Sequence, residues 1–175
     1  MKKLIAALLI ASLALTGCAF AETYVDPDNR LTFEYDDTCL EIVQEDVADD
    51  ELLVILNGTV QSWGATGITL YLYDMEDGES FPALEDFADM EQELNIDVVQ
   101  GEWNGFANVF MYDIAEGDGI ESVFIVPIYD DDDPSDVDDV LTITITVEKA
   151  DDEESAMDRD DAISEIVDTL KVLDD

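Results

Sequence analysis

The residues best suited to chemistry stand together late in the chain: Asp130, Asp131, Asp132, Asp133, Asp136, Asp138 and Asp139, interrupted only by Pro134, Ser135 and Val137. Carboxylates this dense offer the hard oxygen ligands that Ca²⁺ takes in sets of about 6–8, at about 2.3–2.6 Å. Close carboxylates also repel one another, and a bound cation would relieve that repulsion. Asp130, Asp132 and Asp136 are the candidate calcium ligands. The spacing is not that of an EF-hand. Counted from Asp130, the fifth position is Pro134, the sixth is Ser135 where a glycine is needed, and the twelfth is Leu141 where a glutamate belongs. Blocks of like charge usually form solvated faces, which is the bland expectation for this loop and for Asp151 to Glu154.

Trp63 and Trp103 are candidate ligand or partner contacts. Trp63 lies in a small-residue stretch, Gly64-Ala65-Thr66-Gly67, and Trp103 precedes Asn104-Gly105. An indole beside a loop can stack on a sugar or anchor a partner, although most tryptophans are largely buried. Cys39 is expected to act as a small buried hydrophobe. Cys18 is the other cysteine, and signal processing would acylate or remove it, so no disulfide is available within the mature chain.

What the chain lacks excludes more than its motifs supply. It has 46 acidic residues, six basic ones and no histidine, for a formal charge of −40. Every acid lies beyond residue 17, where the only basic side chains are Arg30, Lys149, Arg159 and Lys171. Serine–histidine and cysteine–histidine catalysis is excluded, as is any histidine-ligated metal. Nucleic acid is excluded as a partner, because its affinity rests largely on cations meeting phosphate. Anionic headgroups would repel the protein surface. Cationic ligands, neutral molecules or a protein partner remain. A carboxylate hydrolase needs only two acids about 5–10 Å apart, but no pair stands out by spacing. The expectation is a non-catalytic binding or scaffolding protein, a monomer without a resident cofactor, with a calcium-binding secreted protein or a hydrolase as alternatives.

The N-terminus supplies an address. Lys2 and Lys3 precede an apolar run from Leu4 to Leu15, too short for the roughly 20 residues a bilayer span requires. This is the layout of an export signal. The closing Leu15-Thr16-Gly17-Cys18 resembles the lipobox of bacterial lipoproteins. That resemblance implies acylation of Cys18 and anchoring on the extracytoplasmic face of a membrane. Ala19-Phe20-Ala21 before Glu22 offers the alternative, cleavage for simple secretion. The chain is thereby divided into a signal peptide, 1–17, a short tether, 18–23, and one domain, 24–175.

The elements that would position these residues follow from periodicity. Leu31, Phe33 and Tyr35 alternate as in a half-buried strand, Leu40–Val43 is a second strand, and Leu52–Leu56 and Ile68–Tyr73 follow. Pro82 opens a helix with Leu84, Phe87, Met90 and Leu94 at helical spacing. Val98–Trp103 and Phe106–Ile114 flank Asn104-Gly105, a strong hairpin signal. Ser122–Tyr129 and the alternating Leu141, Ile143, Ile145 and Val147 complete the strands. Asp161 is placed to cap a last helix with Ile163, Ile166, Val167, Leu170 and Leu173 on one stripe. Short links predict an α+β fold: a mostly antiparallel sheet of about 6–8 strands with two main helices packed on it. Tyr24-Val25-Asp26-Pro27, Leu31-Thr32-Phe33-Glu34-Tyr35, Asn104-Gly105-Phe106-Ala107 and Ile166-Val167-Asp168-Thr169-Leu170-Lys171 are similar to the PsbP-like or Mog1-like α/β/α sandwich. The usual Pro-x-x-Trp step after the first strand is replaced, with Asp36 and Cys39 in those slots. The resemblance implies a non-catalytic interaction module and carries over no ligand residues.

An acidic surface of this kind is opposed by self-repulsion that salt screens, the Debye length falling from about 8 Å at physiological salt to about 3 Å at 1 M. The melting temperature should therefore rise with NaCl, and at lower concentrations with Mg²⁺ or Ca²⁺. Thermal melts across a salt series check this; superimposable curves would contradict it.

Overall fold

A computed structural model describes residues 21–75, 79–129 and 136–173. Alternating side chains build most of it. β1 (Ala21–Val25), β2 (Leu31–Asp36) and the short β10 (Lys171–Val172) form an antiparallel sheet in the order β1-β2-β10. β3 (Leu40–Val47), β4 (Glu51–Gly58), β5 (Thr66–Asp74), β6 (Val99–Trp103), β7 (Phe106–Glu116), β8 (Gly119–Tyr129) and β9 (Val137–Glu148) form a second one, also antiparallel, in the order β3-β4-β5-β9-β8-β7-β6. α1 (Ala88–Leu94) follows a 3₁₀ turn at Leu84–Phe87, and α2 (Glu153–Thr169) precedes β10. The fold is thus mixed α+β, with a seven-stranded antiparallel sheet and two helices.

Register sorts the large sheet into two faces. Leu52, Val54 and Leu56 pair with Leu72, Leu70 and Ile68, which pair in turn with Leu141, Ile143 and Ile145. All of these point to one side, the inner face. They form a single core with Tyr24, Leu31, Phe33 and Tyr35 of the small sheet and Ile163, Ile166 and Leu170 of α2. The outer face carries Leu53, Ile55, Thr69, Tyr71, Thr142, Thr144 and Ile125. The 3₁₀ turn and the segment before it cover part of this face: the Phe87 and Phe81 rings lie 4.8 and 5.4 Å from that of Phe110, and Glu79, Ser80 and Pro82 lie beside Tyr73 and Val140. Edge strand β3 is bulged between Ile42 and Gln44, which blunts it against edge pairing, and the β6–β7 ladder shifts register between Gly101 and Trp103, with the extra residue on β7.

Local chemistry fixes the joints. Asn104 and Gly105 both have positive φ, 48° and 84°, the type I′ geometry that matches hairpin twist. The Asn104 amide donates to the Val167 carbonyl and so ties that hairpin to α2. Asp26, 2% exposed, accepts from the Leu31 and Asp28 amides at 2.7 and 3.1 Å and closes the β1–β2 turn.

Several expected boundaries move, and the helix expected to open at Pro82 is a 3₁₀ turn from Leu84 and an α-helix only from Ala88. β1 begins inside the stretch assigned to a tether, because only Tyr24 of its five residues is buried and the period is faint. α2 starts at Asp152, whose carboxylate caps the Ser155 amide at 2.8 Å, and not at Asp161. Its first turns are held by polar contacts, including Ser155 Oγ to Ser62 Oγ at 3.1 Å, so the apolar stripe does not announce them. At the other end α2 stops at Thr169; Leu173 lies beyond β10, its amide donating to the Arg30 carbonyl at 2.8 Å.

Arg159 secures the helix to the sheet. The residue is 7% exposed, and its Nη1 donates to the carbonyls of Trp63 at 3.1 Å and Glu148 at 2.7 Å. Arg159→Ala leaves both acceptors without that partner, and each buried orphan costs about 1–3 kcal/mol. Urea denaturation should show a loss of about 3 kcal/mol, whereas Lys171→Ala, on an exposed residue, should change stability little.

Candidate functional site

Cys18, Asp130 and Asp132 lie outside the described residues. Asp136 is exposed and immediately precedes β9, which begins at Val137, inside the stretch expected to be loop. Among the described residues no group of three or more His, Cys, Asp or Glu side chains is placed to hold a metal ion.

Trp63 is not an exposed platform. It sits in the 3₁₀ turn Gln61–Trp63, 4% exposed, and belongs to the core beneath α2. Gly64, with φ of 74°, brings the chain against the Lys149 carbonyl, where a Cβ would lie only 2.7 Å away; this close approach folds the indole inward. Trp103 is half-buried and stacks on Phe124 with ring centroids 4.3 Å apart.

A groove of about 610 Å³ runs beside α2, with Trp63 and Cys39 at its floor and Asp36, Asp158, Asp161, Glu165 and Asp168 on its walls. The Thr38 hydroxyl holds the Asp36 carboxyl below the usual carboxylate range. The Cys39 thiol is pushed up to about 12 by burial and by the Asp36 charge. It therefore remains protonated at neutral pH and unreactive, as a core cysteine does.

One carboxyl pair escapes sequence inspection. Asp74 and Asp139 are direct partners across the β5–β9 ladder. Burial, a hydrogen bond to Asp74 and the charge of Asp74 together raise Asp139 to about 7, against a smaller opposing pull from Arg30. The neighbouring Asp74 carboxyl thus favours the protonated form of Asp139.

The outer face is the third feature. Leu53 faces Tyr71, Tyr71 faces Thr142, and Thr142 faces Ile125; one register step away, Ile55, Thr69, Thr144 and Val123 form a second row. The Tyr71 and Tyr73 rings lie 5.3 Å apart. These two rows hold no charged residue. Acids stand around them: Asp46 opposite Leu53, Glu51 opposite Tyr73 and Glu121 opposite Thr146. Burial raises the Tyr71 and Tyr112 phenols, with smaller contributions from Glu51 and Glu121 respectively, so both stay neutral hydroxyls.

Comparison with protein-family models, curated proteins and solved structures finds no match to this chain. Its chemistry is read from its own geometry. The Thr142-Thr144-Thr146 alternation signalled the outer face; the pairing of Asp74 with Asp139 depends on register and left no signal in sequence.

Because the folded state holds Asp139 protonated far above an ordinary aspartate, this group favours folding at acid pH. Its contribution is lost as pH rises from about 4 through about 7. Asp139→Asn should match the parent near pH 4 and melt higher at pH 8. Paired thermal melts at the two pH values check this, and a lower melting temperature for the variant at pH 8 would contradict it.

Proposed function

We propose that the chain is an exported, lipid-anchored, non-catalytic binding protein. Its fold is of the PsbP-like or Mog1-like α/β/α kind, and it is carried on a membrane surface by acylated Cys18. The observation that carries the anchor is the position of β1. Its first residue, Ala21, pairs with Asp36, and only Ala19 and Phe20 separate it from Cys18. Cleavage at the rival Ala19-Phe20-Ala21 site would remove Ala21 and cut into the folded strand. Cleavage before Cys18 leaves β1 whole and gives it a two-residue tether. Each buried CH₂ of an acyl chain adds about 0.8 kcal/mol of membrane affinity, so several chains hold a protein whose own surface the headgroups repel.

The binding role draws support from what surrounds the carboxylates. The acidic groove beside α2 has no histidine and an inert thiol, and the Asp74–Asp139 pair is locked to itself. What the domain offers instead is surface: an acidic exterior and one broad uncharged sheet face.

Intact-mass analysis of the native protein should give a chain beginning at Cys18 with acyl chains attached. Cys18→Ser should abolish acylation and remove the protein from detergent-extracted membranes. An unacylated native chain beginning at Glu22 would contradict the anchor.

A further inference from the structure

We infer that the outer face of the seven-stranded sheet is a docking surface for a cationic amphipathic polypeptide, one that presents apolar side chains flanked by lysine or arginine. The inference deepens the binding-module reading and rests on it, but not on the lipid anchor. Tyr71, Leu53, Ile55, Thr144 and Ile125 are half-buried; the turn before α1 lies at Phe110, the ladder partner of Ile125, and residues 79–82 lie beside Tyr73 and Val140, so these five side chains border the covered part of the face. The inner face of the same strands packs into the core with α2 and the small sheet. A flat, uncharged sheet face on a protein otherwise so acidic is the kind of patch that marks an interaction site.

Charge decides the occupant. None of the four basic residues beyond residue 17 lies in the seven-stranded sheet: Arg30 is in the β1–β2 turn, Lys149 follows β9, Arg159 is in α2 and Lys171 in β10. The face is therefore rimmed by Asp46, Glu51 and Glu121 with no cation among its strands. A second copy would set those acids against their own counterparts, because a two-fold interface brings the same patch to itself. A basic partner turns the same rim into complementary pairs, and cations near Tyr71 and Tyr73 gain from the ring faces as well.

The test uses the exported chain purified as the cell makes it, acylated or not, titrated calorimetrically at physiological salt. The probe is a synthetic peptide alternating lysine and leucine; a lysine–serine peptide of equal charge is the control. The lysine–leucine peptide should bind saturably and the lysine–serine peptide about tenfold more weakly. Tyr71→Ser with Ile55→Ser should weaken the first by about tenfold. Glu165→Gln with Asp168→Asn, in the groove beside α2, should leave it unchanged. Circular dichroism checks folding, and Thr144→Lys, which sets a cation mid-face, should weaken binding likewise if the serine pair fails to fold. Absence of binding, equal binding of both peptides, or a larger loss in the groove variant would overturn the proposal. So would a dimer of the unliganded chain in sedimentation that the face variants dissociate. The mass measurement reads the anchor separately, so a failure of one reading is not a failure of the other.

Discussion

Arg159 is the interaction on which the inner half of the molecule depends. Of the four basic side chains beyond residue 17 it is the buried one, and it spends its charge on two main-chain carbonyls while Asp160 accepts from the remaining donors at 3.0 Å. Those carbonyls belong to the 3₁₀ turn after β4 and to the last residue of β9. A single guanidinium thus fixes where α2 begins, which way the polar first turns face, and how Trp63 is capped. With α2 in place, Ile163, Ile166 and Leu170 close the core over Leu70 and Ile143. A lysine would lack the separate Nε and Nη2 donors that meet Asp160 while Nη1 serves both carbonyls.

The same scarcity of cations gives the protein its sidedness. Basic residues are confined to the small-sheet and helix layer and to its junctions, where they serve the fold. Arg30, for instance, lies 3.6 Å from the buried Asp26 carboxylate and donates to the Glu51 carbonyl at 3.2 Å. The seven-stranded sheet is left with acids alone, and these collect at its ends and edges. Where two meet inside the ladder, as at Asp74 and Asp139, burial and proximity favour the protonated form of Asp139. Toward the middle of the sheet, alternation replaces charge with threonine, tyrosine and branched aliphatics, which suit a pleated surface. An uncharged face bordered by carboxylates follows from a β-rich sequence without lysine or arginine from Leu31 to Glu148.

Periodicity and turn chemistry made much of this fold legible. The period-2 run from Leu141 to Val147 is the central strand β9, and Asn104-Gly105 is the type I′ hairpin its dipeptide promises. The start of α2 was not legible, because Asp151 to Glu154 read as a solvated charged face and Asp161 as the cap when apolar period is the only guide. The capping Asp152 and inward-turned Arg159 work through hydrogen bonds that periodicity does not record. Trp63 illustrates the opposite error: its small-residue neighbours suggest an open loop, while Gly64 permits the tight approach that buries the ring. The carboxyl pair and the two-row outer face arise from register between strands far apart in sequence, and single-strand patterns cannot specify register.

The central claim is that recognition belongs to the outer face and not to the acidic groove beside α2. Methyl-resolved NMR on isoleucine- and leucine-labelled protein, titrated with the lysine–leucine peptide, addresses it directly. The methyl signals of Leu53, Ile55 and Ile125 should shift progressively while those of Ile163 and Ile166 stay in place. Shifts concentrated at Ile163 and Ile166, with the outer-face methyls unmoved, would contradict it.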